Sequence, residues 1–160
     1  MKFSGADIVI RLLERQGIDI ISGIPGGTNL PLYDALDKSS IRHILARHEQ
    51  GAGFIAQGMA RSTGLAAACF ATSGPGATNL ITAIADAYLD SVPVVAISGQ
   101  TPLSLMGTDA FQEVDTYGLS LPVTKHNFLV RSIEELLTII PKAFEIAVSG
   151  LPGSVWVDIP

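Results

Sequence analysis

The chain has 160 residues, which suits one domain, and its hydrophobic fraction of 48 % can form a substantial core, so disorder is excluded. The net charge of −5 argues against sequence-independent nucleic-acid binding, and no apolar run approaches the roughly 20 residues of a membrane span. The first residues lack a secretory pattern and the single cysteine, Cys69, forms no intrachain disulfide, so we expect a cytoplasmic protein.

Apolar runs alternate with stretches of helical periodicity along the whole chain. Ser4 and Asp7 form a capping-box pattern at the start of the first helix, and Gly17 closes that helix. Helical patterns separate consecutive strands, which implies parallel crossovers with helices on both faces of one sheet. The sequence therefore predicts an α/β domain with three layers and a six-stranded parallel sheet. Its predicted strands are 18–24, 41–46, 65–71, 93–98, 123–130 and 154–159.

Three further predictions concern the helices and the long connection. Helices are expected over 53–61 and 74–89, and a last one starts at a capping box formed by Ser132 and Glu135. Pro141 should kink or split that last helix. Residues 99–120 read as a loop long enough for a functional role. The chain stops just after the sixth strand, which we interpret as the boundary of the first domain of a longer protein.

A carboxylate, Glu49, lies between the second predicted strand and the helix that follows it. In open α/β sheets the ligand crevice lies at the carboxyl ends of the strands. Two other turns with unusual residues, 23–27 and 72–79, follow the first and third strands. Three such turns at one edge predict a shared ligand site. Taken alone, Glu49 would be interpreted as an acid that caps a helix.

Neither of the two glycine-containing turns matches a standard nucleotide or hydrolase motif. The turn 23–27 lacks the G-x-G-x-x-G spacing of dinucleotide-binding proteins, and Pro25 removes a backbone donor. The turn 72–79 lacks a nucleophile elbow, because Ala71 stands where that motif needs glycine. The alternatives are a tight turn pressed against a neighbour for the first, and a helix start with Ser73 as N-cap for the second.

The histidines do not indicate a metal site. His43, His48 and His126 lack ligand spacing and one cysteine does not complete a zinc site, so we predict no metal in this chain and interpret His43 and His126 as structural. In the long loop, Ala110 and Phe111 form an apolar pair among polar residues. Such a pair must pack on something, either as a loop anchor or as the wall of a substrate or cofactor site.

Seven motifs carry a resemblance that covers nearly the whole chain. They are Gly23-Ile-Pro-Gly-Gly27, Arg47-His-Glu-Gln-Gly-Ala-Gly-Phe54, Ala56-Gln-Gly-Met-Ala-Arg61, Ser73-Gly-Pro-Gly-Ala-Thr-Asn79, Gly107-Thr-Asp-Ala-Phe-Gln-Glu113, Thr124-Lys-His-Asn127 and Pro152-Gly-Ser-Val-Trp-Val-Asp-Ile-Pro160. Together they resemble the thiamine-diphosphate enzymes of the acetolactate synthase (acetohydroxyacid synthase) family. The fifth motif favours acetolactate synthase over its decarboxylase and oxidase relatives. Thr101 and Pro141 are less typical of the family and lie outside these motifs.

The resemblance implies the first, pyrimidine-binding domain of a three-domain catalytic subunit. FAD would bind a middle domain and Mg²⁺ a last domain, both absent here, since the Gly-Asp-Gly motif of the last domain does not occur in this chain. The family's cofactor-binding positions correspond to Pro25, Gly26, Glu49, Thr72, Pro75 and Asn79. Its positions at the reacting centre correspond to Glu49, Gly27, Phe111 and Gln112.

By the same resemblance, Glu49 hydrogen-bonds N1′ of the aminopyrimidine of thiamine diphosphate. The implied reaction is the decarboxylation of pyruvate and its condensation with a second 2-ketoacid, a step toward isoleucine and valine. The implied partner is the diphosphate-binding domain of a neighbouring subunit, so we expect a homodimer or higher oligomer, and a small regulatory subunit stays open. We expect no nucleic-acid or membrane partner, and no activity from the isolated chain. The alternatives are a pyrimidine-domain subunit of another thiamine-diphosphate-dependent 2-ketoacid decarboxylase, or a catalytically silent binding or assembly module.

Overall fold

The computed structural model describes residues 2–160, in which helices and strands alternate as the sequence predicts. None of the helices in this part of the chain combines the length and the apolar character that crossing a bilayer requires. A short 3₁₀ turn precedes the fifth strand. In chain order the elements are α1 Gly5–Arg15, β1 Ile20–Gly23, α2 Leu30–Leu36, β2 Arg42–Leu45, α3 Glu49–Thr63, β3 Ala67–Ala71, α4 Pro75–Leu89, β4 Val94–Gly99, α5 Thr116–Ser120, β5 His126–Leu129, α6 Ile133–Val148 and β6 Val155–Ile159.

The six strands form one parallel sheet in the order β2-β1-β3-β4-β6-β5, which confirms the predicted fold class. From β1 the chain passes outward to β2 and then returns to place β3 on the other side of β1. The strand order therefore reverses between β1 and β3. Open α/β sheets bind their ligands in the crevice outside the carboxyl ends of the strands at such a reversal. The first residues of that crevice are Ile24, after β1, and Thr72, after β3.

Alternation along β3 divides the core between the two faces of the sheet. Ala68 and Phe70 pack in the cluster that contains the buried faces of α1, α2 and α6. Cys69 and Ala71 pack in the cluster that contains α3 and α4. All residues of β3 and β4 are buried, as expected for central parallel strands covered by helices on both faces. The three-layer arrangement is thus confirmed.

Two helices begin at residues other than those predicted. Helix α3 begins at Glu49, four residues earlier than the sequence pattern indicates, because His48 is its N-cap and accepts a hydrogen bond from the Gln50 N–H at 3.2 Å. Helix α4 has Gly74 as its N-cap, so the alternative that assigned this role to Ser73 is wrong. Gly74 has φ of 57°, a conformation that glycine adopts without strain.

Of the predicted kink or split of α6 at Pro141, the split is wrong because the helix is continuous through that residue, and the kink stays a prediction. Proline removes the hydrogen bond to the carbonyl four residues earlier, at Leu137. Leu137 is 58 % exposed, so water can satisfy that carbonyl. The N-caps of α1 and α6 are confirmed as Ser4 and Ser132, each of which accepts a backbone hydrogen bond three residues on.

Candidate active site

The turns after β1 and β3 are joined by Thr28. Its Oγ1 lies 3.0 Å from Thr72 Oγ1 and accepts a hydrogen bond from the Ser73 N–H at 3.0 Å. Gly99, at the end of β4, lies against the same residue, since a Cβ there would be 2.6 Å from Thr28 Oγ1. Thr28 therefore connects the carboxyl ends of three neighbouring strands at the predicted crevice.

The path of the turn after β1 is set by Asn29, which is fully buried. Its Oδ1 accepts a hydrogen bond from the Gly26 N–H at 2.7 Å, and its Nδ2 donates to the Ile24 carbonyl at 3.2 Å. Asparagine often closes turns in this way, through bonds to nearby backbone. The two bonds fix the backbone on both sides of Pro25. Pro25 and Gly27 are left exposed at the edge of the sheet.

Positions 26 and 76 require glycine because the backbone at both positions lies against the Thr72 side chain. A Cβ on Gly26 would lie 2.5 Å from Thr72 Cβ, and one on Gly76 would lie 2.7 Å from Thr72 Cγ2. Neither glycine has a positive φ, so the reason is lack of space and not backbone conformation. The interpretation of a turn pressed against a neighbour is confirmed for Gly26. It leaves the exposed side of the same turn open to a ligand.

Glu49 is half-buried and faces the turn after β3. Its Oε2 accepts a hydrogen bond from Asn79 Nδ2, on α4, at 3.0 Å. Its Oε1 lies beside Gly76, since a Cβ there would be 3.4 Å away, and it accepts no hydrogen bond from residues 2–160. The side chain that caps α3 is that of His48 and not of Glu49. One carboxylate oxygen is therefore held in place, and the other is free to bind a donor.

The long loop reaches the same edge through Gln112. Its φ is 56°, and its Cα would lie only 2.9 Å from a Cβ on Gly74, so the loop backbone rests directly on the turn after β3. Phe111 is 87 % exposed, so very little of its side chain is covered by residues 2–160. The alternative that Phe111 anchors the loop is therefore wrong. Its other interpretation, as a wall toward a ligand, stays a prediction.

Most predicted site residues lie at one edge, but contacts connect only some of them. Direct contacts or shared neighbours link Glu49, Asn79, Thr72 and Gly26, and Gln112 rests on Gly74 in the turn after β3. Four others are exposed at this edge, and their roles toward a ligand stay predictions: Pro25, Gly27, Pro75 and Phe111.

Thr28, Asn29 and Gly76 position the site, and sequence reasoning did not identify them as site residues. All three lie within or directly after the predicted turns, which was the available signal.

The histidines outside the site have local partners. The His43 ring packs edge-on against Tyr33 with centroids 4.9 Å apart, and His126 packs against Phe128 at 4.4 Å. These contacts are compatible with the structural interpretation, which stays a prediction. Within residues 2–160, no group of three or more His, Cys, Asp or Glu side chains is arranged to hold a metal ion.

Fold and candidate site together define a parallel α/β domain in which two glycine-containing turns and a carboxylate at a helix start lie at one edge of the sheet. Residues 3–119 match the family described as thiamine pyrophosphate enzyme, N-terminal TPP binding domain, and the chain belongs to that family. The chain is 67 % identical over 160 residues to the acetolactate synthase isozyme 1 large subunit of Escherichia coli (strain K12). This match covers 99 % of the chain and 28 % of that relative.

Two further relatives carry similar names. The acetolactate synthase isozyme 2 large subunit of the same strain is 58 % identical over 157 residues, with 98 % of the chain and 29 % of the relative covered. The probable acetolactate synthase large subunit of Methanocaldococcus jannaschii is 54 % identical over 156 residues, with 98 % of the chain and 26 % of the relative covered. The chain therefore spans less than a third of the length of these relatives.

Proposed function

We propose that this chain is the pyrimidine-binding domain of an acetolactate synthase catalytic subunit and that it holds the aminopyrimidine half of thiamine diphosphate. The observation that carries the proposal is the Glu49 carboxylate, with one oxygen held by Asn79 and the other free beside Gly76. When bound, thiamine diphosphate supplies a thiazolium ring that accepts the electron pair left when a 2-ketoacid loses carbon dioxide.

The residues at this edge fit an aminopyrimidine. That ring is flat, with nitrogen atoms around its rim and two apolar faces, so it needs a polar partner in its plane and low walls beside it. Glu49 Oε1 is the free polar partner, and Gly26 and Gly76 add no side chains of their own to the two turns that meet at Thr72. The buried Ser73 Oγ, in the same turn, has no hydrogen-bond partner among residues 2–160.

In the proposed mechanism, Glu49 hydrogen-bonds N1′ of the aminopyrimidine and holds or moves a proton there. Asn79 keeps the carboxylate oriented toward the ring, as a positioned acid–base group requires. Pro25 and Gly26 would flank the ring, and Thr72, Pro75 and Asn79 would line its side. Gly27, Phe111 and Gln112 would border the reacting centre.

The activity of the whole protein is part of the proposal, because the chain covers less than a third of its relatives. Pyruvate would be decarboxylated and condensed with a second 2-ketoacid to give acetolactate or acetohydroxybutyrate. The chain would be the first of three domains, with FAD and Mg²⁺ bound on the other two. Its partner would be the diphosphate-binding domain of a neighbouring subunit, in a cytoplasmic homodimer or higher oligomer. The names of the relatives, several of them large subunits, support this proposal.

A chimeric enzyme tests the proposal directly. The segment of the Escherichia coli isozyme 1 large subunit that aligns with this chain is replaced by it, and the 67 % identity should preserve most domain contacts. We expect acetolactate from pyruvate, and loss of that activity in a chimera that carries Glu49→Gln. A folded chimera that releases only acetaldehyde would favour the decarboxylase alternative. A folded chimera without any turnover would favour the silent module.

A further inference from the structure

A chain of buried polar side chains connects β4 and β6 beside the candidate site. Asp158 is 1 % exposed and pairs in register with Ser98. Ser98 Oγ donates to Asp158 Oδ1 at 2.5 Å and accepts a hydrogen bond from Trp156 Nε1 at 2.8 Å. Trp156 is the only tryptophan of the chain. The indole is therefore one hydroxyl group away from a buried carboxylate.

Gln100 extends this chain into the long loop. Its Nε2 donates to Asp158 Oδ2 at 2.9 Å and to the Val114 carbonyl at 2.9 Å, and it lies 3.3 Å from Thr116 Oγ1. Its Oε1 accepts a hydrogen bond from the Thr101 N–H at 2.9 Å. Acceptors on Asp158 and Val114 on the nitrogen side and the Thr101 N–H on the oxygen side fix the orientation of the amide. One buried side chain thus binds the residues at the start and at the end of the 101–113 loop.

The 101–113 loop is braced internally as well. The Glu113 carboxylate accepts hydrogen bonds from the backbone N–H groups of Gly107 and Ala110, which hold the pKa of that carboxyl below its usual range. These bonds fold the middle of the loop onto its end. Gln112 then rests on Gly74 in the turn after β3. A loop tied at both ends and braced inside moves as one unit, so its position depends on the group that ties its ends.

We propose that Gln100, held in place by Asp158, is a positioning residue that joins both ends of the 101–113 loop and so sets where Phe111 and Gln112 lie at the edge of the sheet. Its effect on a reaction rests on the function proposed above. The connection between the loop ends is independent of that function, because it follows from contacts within this chain alone.

The charge on Asp158 gives the connection a spectroscopic signature. Burial raises the pKa of Asp158 to about 6, whereas hydrogen bonds from Ser98 and Gln100 lower it. The charged group that faces this carboxylate is Asp115, which raises the pKa further, whereas a hydrogen bond from the neutral Thr116 side chain lowers the pKa. Removing the Gln100 donor without admitting water should therefore raise the pKa of Asp158. The hydroxyl of Ser98 transmits the ionisation to the Trp156 indole.

Hydrogen–deuterium exchange of the 160-residue chain measures the loop. Gln100→Met fills the same space without a donor, and Asp158→Asn turns one acceptor of the network into an amide donor. In either variant we expect the amides of 101–113 to exchange at least about tenfold faster, which is the scale of losing one hydrogen bond to a charged group. Peptides from α4 should exchange as in the wild type. Asp109→Asn is the matched control, because it removes an exposed carboxylate of the same loop at a positive φ that asparagine tolerates.

The fluorescence emission of Trp156, followed between pH 4.5 and pH 8, is the second measurement. We expect a midpoint near pH 6 in the wild type, a higher midpoint in Gln100→Met and no transition in Asp158→Asn. Loop exchange close to that of the wild type in the folded variants would overturn the proposal. A loosened loop with an unmoved Trp156 midpoint would overturn the role of Asp158. Each variant is judged separately, so one that fails to fold leaves the other to decide. Neither measurement uses the cofactor, so failure here is distinct from failure of the proposed function.

Discussion

Two adjacent glycines in the turn after β1 should respond in opposite directions to the same substitution. A Cβ on Gly26 would overlap the Thr72 side chain, and overpacking of this kind costs about 1–3 kcal/mol. Replacing glycine by alanine also restricts the unfolded chain, which offsets about 0.4–1 kcal/mol. We therefore expect Gly26→Ala to lower the free energy of unfolding by about 1–2 kcal/mol. A Cβ on Gly27 would meet nothing within 4 Å, so Gly27→Ala should raise the free energy of unfolding by about 0.4–1 kcal/mol.

Thermal unfolding of the two variants, without cofactor, checks this expectation. For a domain of this size 1 kcal/mol corresponds to about 3 °C. Gly26→Ala should therefore melt about 3–6 °C below the wild type, and Gly27→Ala about 1–3 °C above it. Because the residues are neighbours, any general effect of alanine in this turn appears in both. Equal shifts in the two variants would refute the argument that Gly26 is pressed against Thr72.

Three further predictions concern the isolated chain. It should bind thiamine diphosphate weakly or undetectably by calorimetry and make no acetolactate, because the proposed diphosphate and Mg²⁺ sites lie on other domains; turnover of pyruvate would contradict this. It should sediment as a dimer or larger species. Ala85→Arg, at a half-buried position of α4, should weaken this self-association, and a monomer at high concentration would count against the prediction. The pKa of Asp158 is raised from 3.8 to about 6 on folding, so its stabilising contribution is fully present below about pH 4 and is lost as the pH rises through 6. The free energy of unfolding, measured in urea, should therefore be compared between the wild type and Asp158→Asn at pH 7 and at pH 4. On going from pH 7 to pH 4 this difference should change by about 2 kcal/mol in favour of the wild type. A difference that does not change with pH would contradict the prediction.

The fold class was predictable because hydrophobic patterning is a local property. Apolar strands and periodic helices alternate along the chain, and parallel crossovers follow from that alternation. The failures concern helix details that hydrophobic periodicity does not determine. Pro141 lies within a continuous helix because the carbonyl that it leaves without a donor belongs to an exposed residue. Ser73 is not an N-cap because Gly74 takes that position with a positive φ.

The site was predictable in part for the same reason. Glu49 and the two glycine-containing turns can be recognised in the sequence, because their residue types are unusual directly after apolar strands. The contact of Glu49 with Asn79, 30 residues away, was not predictable from local pattern. Neither was the contact of Gln100 with Asp158, which are 58 residues apart in sequence and meet only because β4 and β6 pair. Such pairs need the strand order, which the sequence pattern alone does not specify.

The central claim is that Glu49 exchanges a proton with the cofactor. Glutamine has nearly the same size and can donate a hydrogen bond, but it cannot take up or release that proton. In the chimeric enzyme, Glu49→Gln should slow the exchange of the thiamine-diphosphate C2 proton in deuterium oxide by about 10²–10⁴-fold, the usual worth of a positioned acid–base group. Its melting temperature should stay close to that of the parent chimera. Unchanged exchange together with a lowered melting temperature would mean that Glu49 only stabilises the start of α3, and would contradict the proposed mechanism.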